Sequence, residues 1–396
     1  MKTKILLAAV VFVMICLFAL PAVAGEAAGL GHDFSTREGA EALTGNPAFV
    51  NPTGEFFVLE SNIDLGVRNN ALDSGNLQEY LDDETKGQIL QSVEEYGLTV
   101  AGEGTQELRL ILGNVGLYSG LREQTSASIA PDLVELLLEG NELDKVYTLE
   151  GTRGDLAVYS DAGINISLSL DFLARALQME QFKLGLTGHH LFGGFGYLEG
   201  VGELEFTSDG EIRGYEDGYL DMEYAELASG EAFDIGIQAR PDEKLVLGAA
   251  AMNIGSLEAE KAYTRRYQYD EEEGTFKDSG EESLSELIYN LPREYKMGFT
   301  YSPFSRVDLY GDYVRKQLNK ADDENIYAAG VEVRPVEVLP LRAGANYSTF
   351  REDIAFSAGL GMYLGPLQTD IGVSDLKFFS DSAKSVRVGI SSRLEF

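Results

Sequence analysis

The sequence predicts an all-β fold: a transmembrane antiparallel β-barrel of about fourteen strands with short helical inserts. Three observations carry that expectation. In the last residues, 386–396, Val386, Val388, Ile390, Leu394 and Phe396 fall on one face, broken only by Ser392, with Arg387, Gly389, Ser391, Arg393 and Glu395 on the other. A period of two is a strand with one apolar and one wet side. The same alternation recurs from residue 57 onward. Beyond the first 24 residues no segment is continuously apolar over the roughly 20 residues a spanning helix needs, so in a bilayer only a closed barrel satisfies the backbone.

The elements follow in chain order. Lys2 and Lys4, an apolar run over residues 5–20 and Ala22-Val23-Ala24 before Gly25 form an export-signal pattern, so residues 1–24 are expected to be a cleaved signal peptide. The run is shorter than a membrane anchor, and Ile15 before Cys16 occupies the place where a lipobox carries a small residue. With Cys16 removed the mature chain has no cysteine, hence no disulfide and no thiolate site. Residues 25–54 precede the barrel, which is assigned to 55–396.

Strand-length runs then alternate. Phe57, Leu59, Ile63, Leu65 and Val67 oppose Glu60, Asn62, Asp64 and Arg68; Ala162, Ile164, Ile166, Leu168, Leu170 and Phe172 oppose Asn165, Ser167, Ser169 and Asp171. Similar runs begin at Phe233, Leu245, Met297, Val307, Leu341, Phe356 and Leu367. Each is about seven to eleven residues, enough to cross hydrocarbon as a tilted strand. Tyr301, Tyr313, Tyr347 and Tyr363 near strand ends suit an aromatic girdle. Turns are expected at Ser302-Pro303, 336–340, 351–353 and Gly365-Pro366. Three stretches break the pattern: a helix near 76–96, a second over 131–139 that starts at Pro131 and stops at Gly140, and an excursion over 256–292. The last combines a hairpin around 263–276 with a short helix near 280–290.

Charge narrows function. The chain has 65 acidic and 31 basic residues; without Lys2 and Lys4 the balance is 65 against 29, or −36. Such a surface repels phosphates, which excludes nucleic acid as a partner. Acidic runs such as Asp270-Glu271-Glu272-Glu273 read as solvated loops.

The segment 40–54 contains Asn46-Pro47-Ala48 just before the first strand, and Phe233-Asp234-Ile235-Gly236-Ile237 is followed by 247–255, Leu-Gly-Ala-Ala-Ala-Met-Asn-Ile-Gly. Together with Gly330-Val331-Glu332-Val333 and 339–344, Leu-Pro-Leu-Arg-Ala-Gly, these resemble the FadL-like outer-membrane barrel superfamily, including its PorV-type and TraF-like branches. The resemblance spans the mature chain and is most evident from Phe233 onward; the helical inserts look more like the TraF-like branch. It implies a fourteen-stranded barrel with an N-terminal hatch segment, residues 25–54, folded inward, with Asn46, Pro47 and Ala48 as hatch candidates and Phe396 as the C-terminal assembly signal.

Chemistry-bearing residues are few. His189 and His190 are adjacent, so on a strand they point to opposite faces and cannot share one metal; no metal site, cofactor or catalytic group is assigned, and the chain is read as no enzyme. Gly193-Gly194-Phe195-Gly196 has no helix start after it, so it reads as close strand packing rather than a phosphate loop. Arg342, Arg387 and Arg393 against Asp370 and Glu395 are candidates for a charged lumen wall. The expected function is passive passage of small hydrophobic solutes across a cell outer membrane, gated by the hatch. Expected partners are outer-membrane lipid, the barrel-assembly machinery and a small hydrophobic ligand. The alternative is a non-transporting barrel that docks or shuttles secreted proteins.

Overall fold

A computed structural model describes residues 30, 34–50, 57–77, 81–94, 97–207, 212–213, 219–270, 275–284, 286–318, 323–380 and 382–396. The expected signal peptide and parts of the hatch at 25–29, 31–33 and 51–54 lie outside the described residues.

Fourteen strands form one closed antiparallel cylinder. They are β1 (Phe57–Asn69), β2 (Leu98–Leu112), β3 (Val115–Ile129), β4 (Arg153–Ser169), β5 (Gln181–Val201), β6 (Tyr219–Asp242) and β7 (Leu245–Ala259). After an excursion come β8 (Arg293–Phe304), β9 (Val307–Gln317), β10 (Glu324–Val336), β11 (Leu339–Ser348), β12 (Asp353–Leu364), β13 (Leu367–Ser374) and β14 (Ser385–Glu395). Each pairs with its chain neighbour, and β14 returns to β1 from Val58↔Glu395 to Arg68↔Ser385, which leaves the cylinder no open edge. Phe396 completes the seam: its N–H donates to the Phe57 carbonyl at 3.0 Å. The C-terminal aromatic is thus a structural closure element of the barrel.

The alternation resolves into an inside and an outside. Ile164, Phe233, Met297 and Phe356 are 50–58 % exposed, whereas Asp161, Asp234, Lys296 and Ser357 beside them on the same strands are buried. Apolar residues face outward because lipid replaces the core as their solvent, and polar residues face a filled lumen. Tyr301, Tyr313 and Tyr347 point outward as expected. Tyr363 does not: its hydroxyl accepts from Arg342 Nη2 at 2.8 Å inside the barrel, because it shares the inward parity of Gly361.

Short turns at Gly113-Asn114, Glu243-Lys244, Ser305-Arg306, Glu337-Val338 and Gly365-Pro366 mark one end, the periplasmic one by the usual asymmetry of such barrels. Ser302-Pro303 is not a turn but the end of β8, where the register with β9 shifts between Tyr301 and Phe304; proline is tolerated at such a bulge. Phe172 lies past β4, on the short helix Asp171–Ala176.

The opposite end carries the inserts. The helix expected near 76–96 is a 3-10 turn, Ser74–Leu77, followed by α1 (Asp83–Val93), whose start is fixed by Asp82 Oδ1 accepting from Thr85 N at 2.9 Å. The expected helix at 131–139 is present as α2 (Pro131–Glu139). Val134 of α2 packs with Ile89 and Val93 of α1. The short helix expected near 280–290 is absent among the described residues and replaced by strands. Residues Thr275–Leu284 pair with Ala262–Asp270, and Leu287–Asn290 pair with the end of β7. Leu284, Leu287 and Ile288 have helical spacing, but neighbouring strand edges offer a ladder to their backbone, and tertiary context overrides local preference.

Candidate functional site: the hatch and its polar collar

The hatch is built from the bottom of the chain's local chemistry. Gly39, at φ 89°, lets the segment turn, and its N–H donates to the Phe49 carbonyl at 3.0 Å, closing a loop. Within it lie two 3-10 turns, Ala40–Leu43 and Pro47–Phe49. Asn46 caps the second by accepting from Ala48 N at 3.2 Å, with Pro47 at the first position, where a missing N–H costs nothing. Leu43, Ala48, Phe49 and Val50 are fully buried and pack against Val58, Ile111 and Tyr118 of the inner wall.

All three expected hatch residues contact the wall or hold the hatch's shape. Asn46 Nδ2 reaches the Ser35 carbonyl at 2.9 Å and the Ile237 and Ala249 carbonyls at 3.3 Å. The Pro47 carbonyl accepts from Asn165 Nδ2 at 3.2 Å, and the Ala48 carbonyl from Ser167 Oγ at 3.1 Å. The wall makes room with glycine: a Cβ on Gly185 would stand 2.0 Å from the Pro47 carbonyl carbon, and one on Gly236 would stand 2.0 Å from Asn46 Oδ1. On the other side of the lumen the contacts are ionic or hydroxylic. Ser35 Oγ donates to Asp312 Oδ1 at 2.5 Å, Thr36 and Thr300 share a hydroxyl bond at 2.7 Å, and Arg37 Nη1 donates to the Tyr310 hydroxyl at 3.0 Å. On the first side, at the end of β6, Arg240 Nη2 donates to Glu38 Oε1 at 3.0 Å.

The wall candidates are real lumen groups, in part with partners other than those expected. Arg342 joins Asp370 at 2.6 Å, as the alternation suggested, and also Glu332 at 2.7 Å, a partner the alternation did not indicate. Arg387 pairs with Asp64 across the closing seam at 2.7 Å. Arg393 donates to Gln368 Oε1 at 2.6 Å and lies 3.7 Å from Glu395. Sequence reading missed the longest feature, a chain of charged groups over six adjacent strands, β1 to β6. Glu60 meets Arg109, Arg109 meets Glu107, Glu107 meets Arg122, and Arg122 meets Asp161, at 2.5–2.8 Å. His189 continues it, with Nδ1 3.2 Å from Asp161 and Nε2 2.7 Å from Asp234. Asp234 Oδ1 then accepts from Asn253 N at 2.7 Å, where β7 bulges. The signal was inward parity of acids and bases on consecutive strands, visible only once register is known.

This collar is structural in its chemistry. Both nitrogens of His189 face carboxylates, and Nδ1 also meets the Tyr118 hydroxyl, which leaves no ring nitrogen to activate a serine. His190 points outward and is exposed. Among the described residues no three metal-ligating side chains converge. Gly193 is a close strand contact, its added Cβ lying 2.2 Å from the Val158 carbonyl. Two polar cavities flank the hatch. One of about 170 Å³ lies on the outward side, lined by Asp64, Glu103, Arg109, Arg122, Lys316 and Arg387; one of about 310 Å³ lies at the periplasmic end.

Solved structures with this arrangement are known. The Pseudomonas putida toluene transporter TodX superposes with a TM-score of 0.52 at 13 % identity, covering 94 % of this chain and 99 % of its own. The fold is that of the FadL-like outer-membrane barrels. The Ralstonia pickettii toluene transporter TbuX has a TM-score of 0.55 at 11 % identity, covering 94 % and 99 %. A Pseudomonas aeruginosa FadL homologue has a TM-score of 0.53 at 12 % identity, covering 95 % and 99 %. No family model and no curated protein sequence matches the chain. The overall fold is therefore shared at 11–13 % sequence identity.

Proposed function

We propose that this chain is an outer-membrane channel for passive passage of small hydrophobic solutes, with the hatch around residues 34–50 as its gate. The observation that carries the reading is the hatch itself, a short segment seated across the lumen between two cavities and held by hydrogen bonds rather than covalent links. Apolar surface is available on the way in. Phe195, Tyr197 and Tyr289 cluster with ring centroids 5.5–6.0 Å apart beside Leu191 and Leu257 at the outward end, and Phe49 and Leu43 sit at the hatch. The fold relatives described as toluene transporters support the same solute class.

Cys16 is the chain's one cysteine, so a pair introduced at Thr36 and Thr300, whose hydroxyls touch at 2.7 Å, forms a lock between hatch and wall. Cells expressing the chain should take up labelled toluene faster than control cells. The Thr36→Cys/Thr300→Cys variant should lose at least about fivefold of that uptake when oxidised and regain it with reductant. No uptake above control removes the solute class; uptake indifferent to the lock removes the gate.

A further inference from the structure

Toward the outward end the ladder of β7 changes partner. It pairs with β8 from Leu245↔Tyr301 to Met252↔Glu294, and then with the excursion from Ser256↔Asn290 to Ala259↔Leu287. A short strap, residues 287–292, is thereby laid along the top of β7 in place of β8. Its end is tied to the same strand: Leu291 N donates to the Gly255 carbonyl at 3.2 Å, and Asn253 Nδ2 donates to the Pro292 carbonyl at 3.1 Å.

The strap fills the outward mouth of the lumen. Tyr289 is fully buried, with its ring 5.5 Å from Phe195 and 6.0 Å from Tyr197 of β5, and Leu291 belongs to the same cluster as Tyr159 of β4 and Ala228 of β6. The Tyr289 hydroxyl reaches the far wall, where its one proton is shared between Gln124 Oε1 of β3 at 3.4 Å and Asp155 Oδ2 of β4 at 3.3 Å. On the remaining side, toward Arg68, Gly102, Lys316 and Phe350, a gap of about 30 Å³ is left. A cavity that holds a benzene-sized ring measures roughly 150 Å³, so no such solute passes this level while the strap is in place. The cavity of about 170 Å³ lies beneath it, and Gln124 lines both spaces.

The two edges of the strap are held unequally. Along β7 it has a backbone ladder and the two bonds at its end. At the far wall it has one phenol proton on two acceptors, both beyond the usual length of a hydroxyl hydrogen bond. An element anchored firmly on one edge and weakly on the other opens about the firm one. We infer that residues 287–292 are an outer gate in series with the hatch, hinged on β7 and latched by Tyr289 on Asp155 and Gln124. The inference rests on the channel reading for its purpose, but the closure itself is measured without any solute.

The test is access to the cavity beneath the strap. Thr105 lines that cavity, and Asn141 stands exposed in the loop after α2. Each is replaced singly, as Thr105→Cys or Asn141→Cys, in a Cys16→Ser background of the full chain in detergent, and its modification by sulfonatoethyl methanethiosulfonate is timed by mass spectrometry. Thr105→Cys should react at least about a hundredfold more slowly than Asn141→Cys, as expected for a minor open state of about 1 %. Adding Tyr289→Phe keeps the ring and removes the latch, and should speed the Thr105→Cys reaction about fivefold; Tyr289→Ala should speed it more than tenfold. Asp155→Ala, which leaves Tyr289 and Gln124 in place, should give about threefold and serves if the Tyr289 variants fail to fold. Heat-modifiable migration on a gel establishes that each variant is a closed barrel. Equal reaction at the two cysteines means that the mouth is open and overturns the inference. So does a slow reaction that neither Tyr289→Phe nor Asp155→Ala moves, which makes the strap a fixed plug. Toluene uptake that still responds to the hatch lock alongside either failure leaves the proposed function standing.

Discussion

The two sides of the lumen hold the hatch by different means. Toward β4 to β7 the contacts are neutral and close apart from the Arg240–Glu38 pair at the end of β6: Asn46, Pro47 and Ala48 exchange amide, carbonyl and hydroxyl bonds with a wall thinned by Gly185 and Gly236. Toward β8 to β14 they run through charged groups and hydroxyls, from Asp312 and Tyr310 to Arg393. Neutral bonds in a dry, close-fitting site do not respond to salt, whereas partly exposed ion pairs do. For the gate proposed above, the neutral contacts are suited to be the pivot and the ionic ones the releasable edge.

Breaking the charged side at its deepest point should have the largest effect. Arg342→Met leaves Glu332 and Asp370 without their shared buried cation, and removing one partner of such a network costs about 3–5 kcal/mol. Urea unfolding of the barrel from vesicles reads this, and a cost below about 1 kcal/mol would mean the network is wet. Overfilling the neutral side comes next. Gly185→Val drives a Cβ into the Pro47 backbone and should displace the hatch at a cost of about 3 kcal/mol, read as faster protease cleavage near residues 34–50 with the barrel still closed.

Asn46→Ala keeps the wall intact and removes the cap and the reaches to Ile237 and Ala249, so it should weaken hatch docking by about 2 kcal/mol in hydrogen exchange. Its effect should be the same at low and high salt. The smallest change is Arg240→Gln, which breaks a pair whose side chains are about a third exposed; such pairs are worth roughly 0.2–1 kcal/mol, and here the effect should vanish in molar salt. Salt dependence at Asn46, or its absence at Arg240, would undo the division into pivot and edge.

Much of this molecule was legible in one dimension. Parity along Val386, Val388 and Ile390, and along Phe57, Ile63 and Val67, determined which faces meet lipid, because a pleated strand has only two sides and a bilayer accepts only one of them. The helix at 131–139 was readable from Pro131 and Gly140, whose backbone constraints are local. The strand Leu287–Asn290 was not, since its partner lies on β7 and local spacing suggested a helix. Nor could the sequence say that Arg387 would meet Asp64, 323 residues away, or that His189 would sit between Asp161 and Asp234. Parity tells which residues enter the lumen; only register and closure tell which of them come within hydrogen-bond reach. The polar collar and the hatch seat therefore belong to the tertiary structure, where the shift of one strand by two residues would keep every face and change every partner.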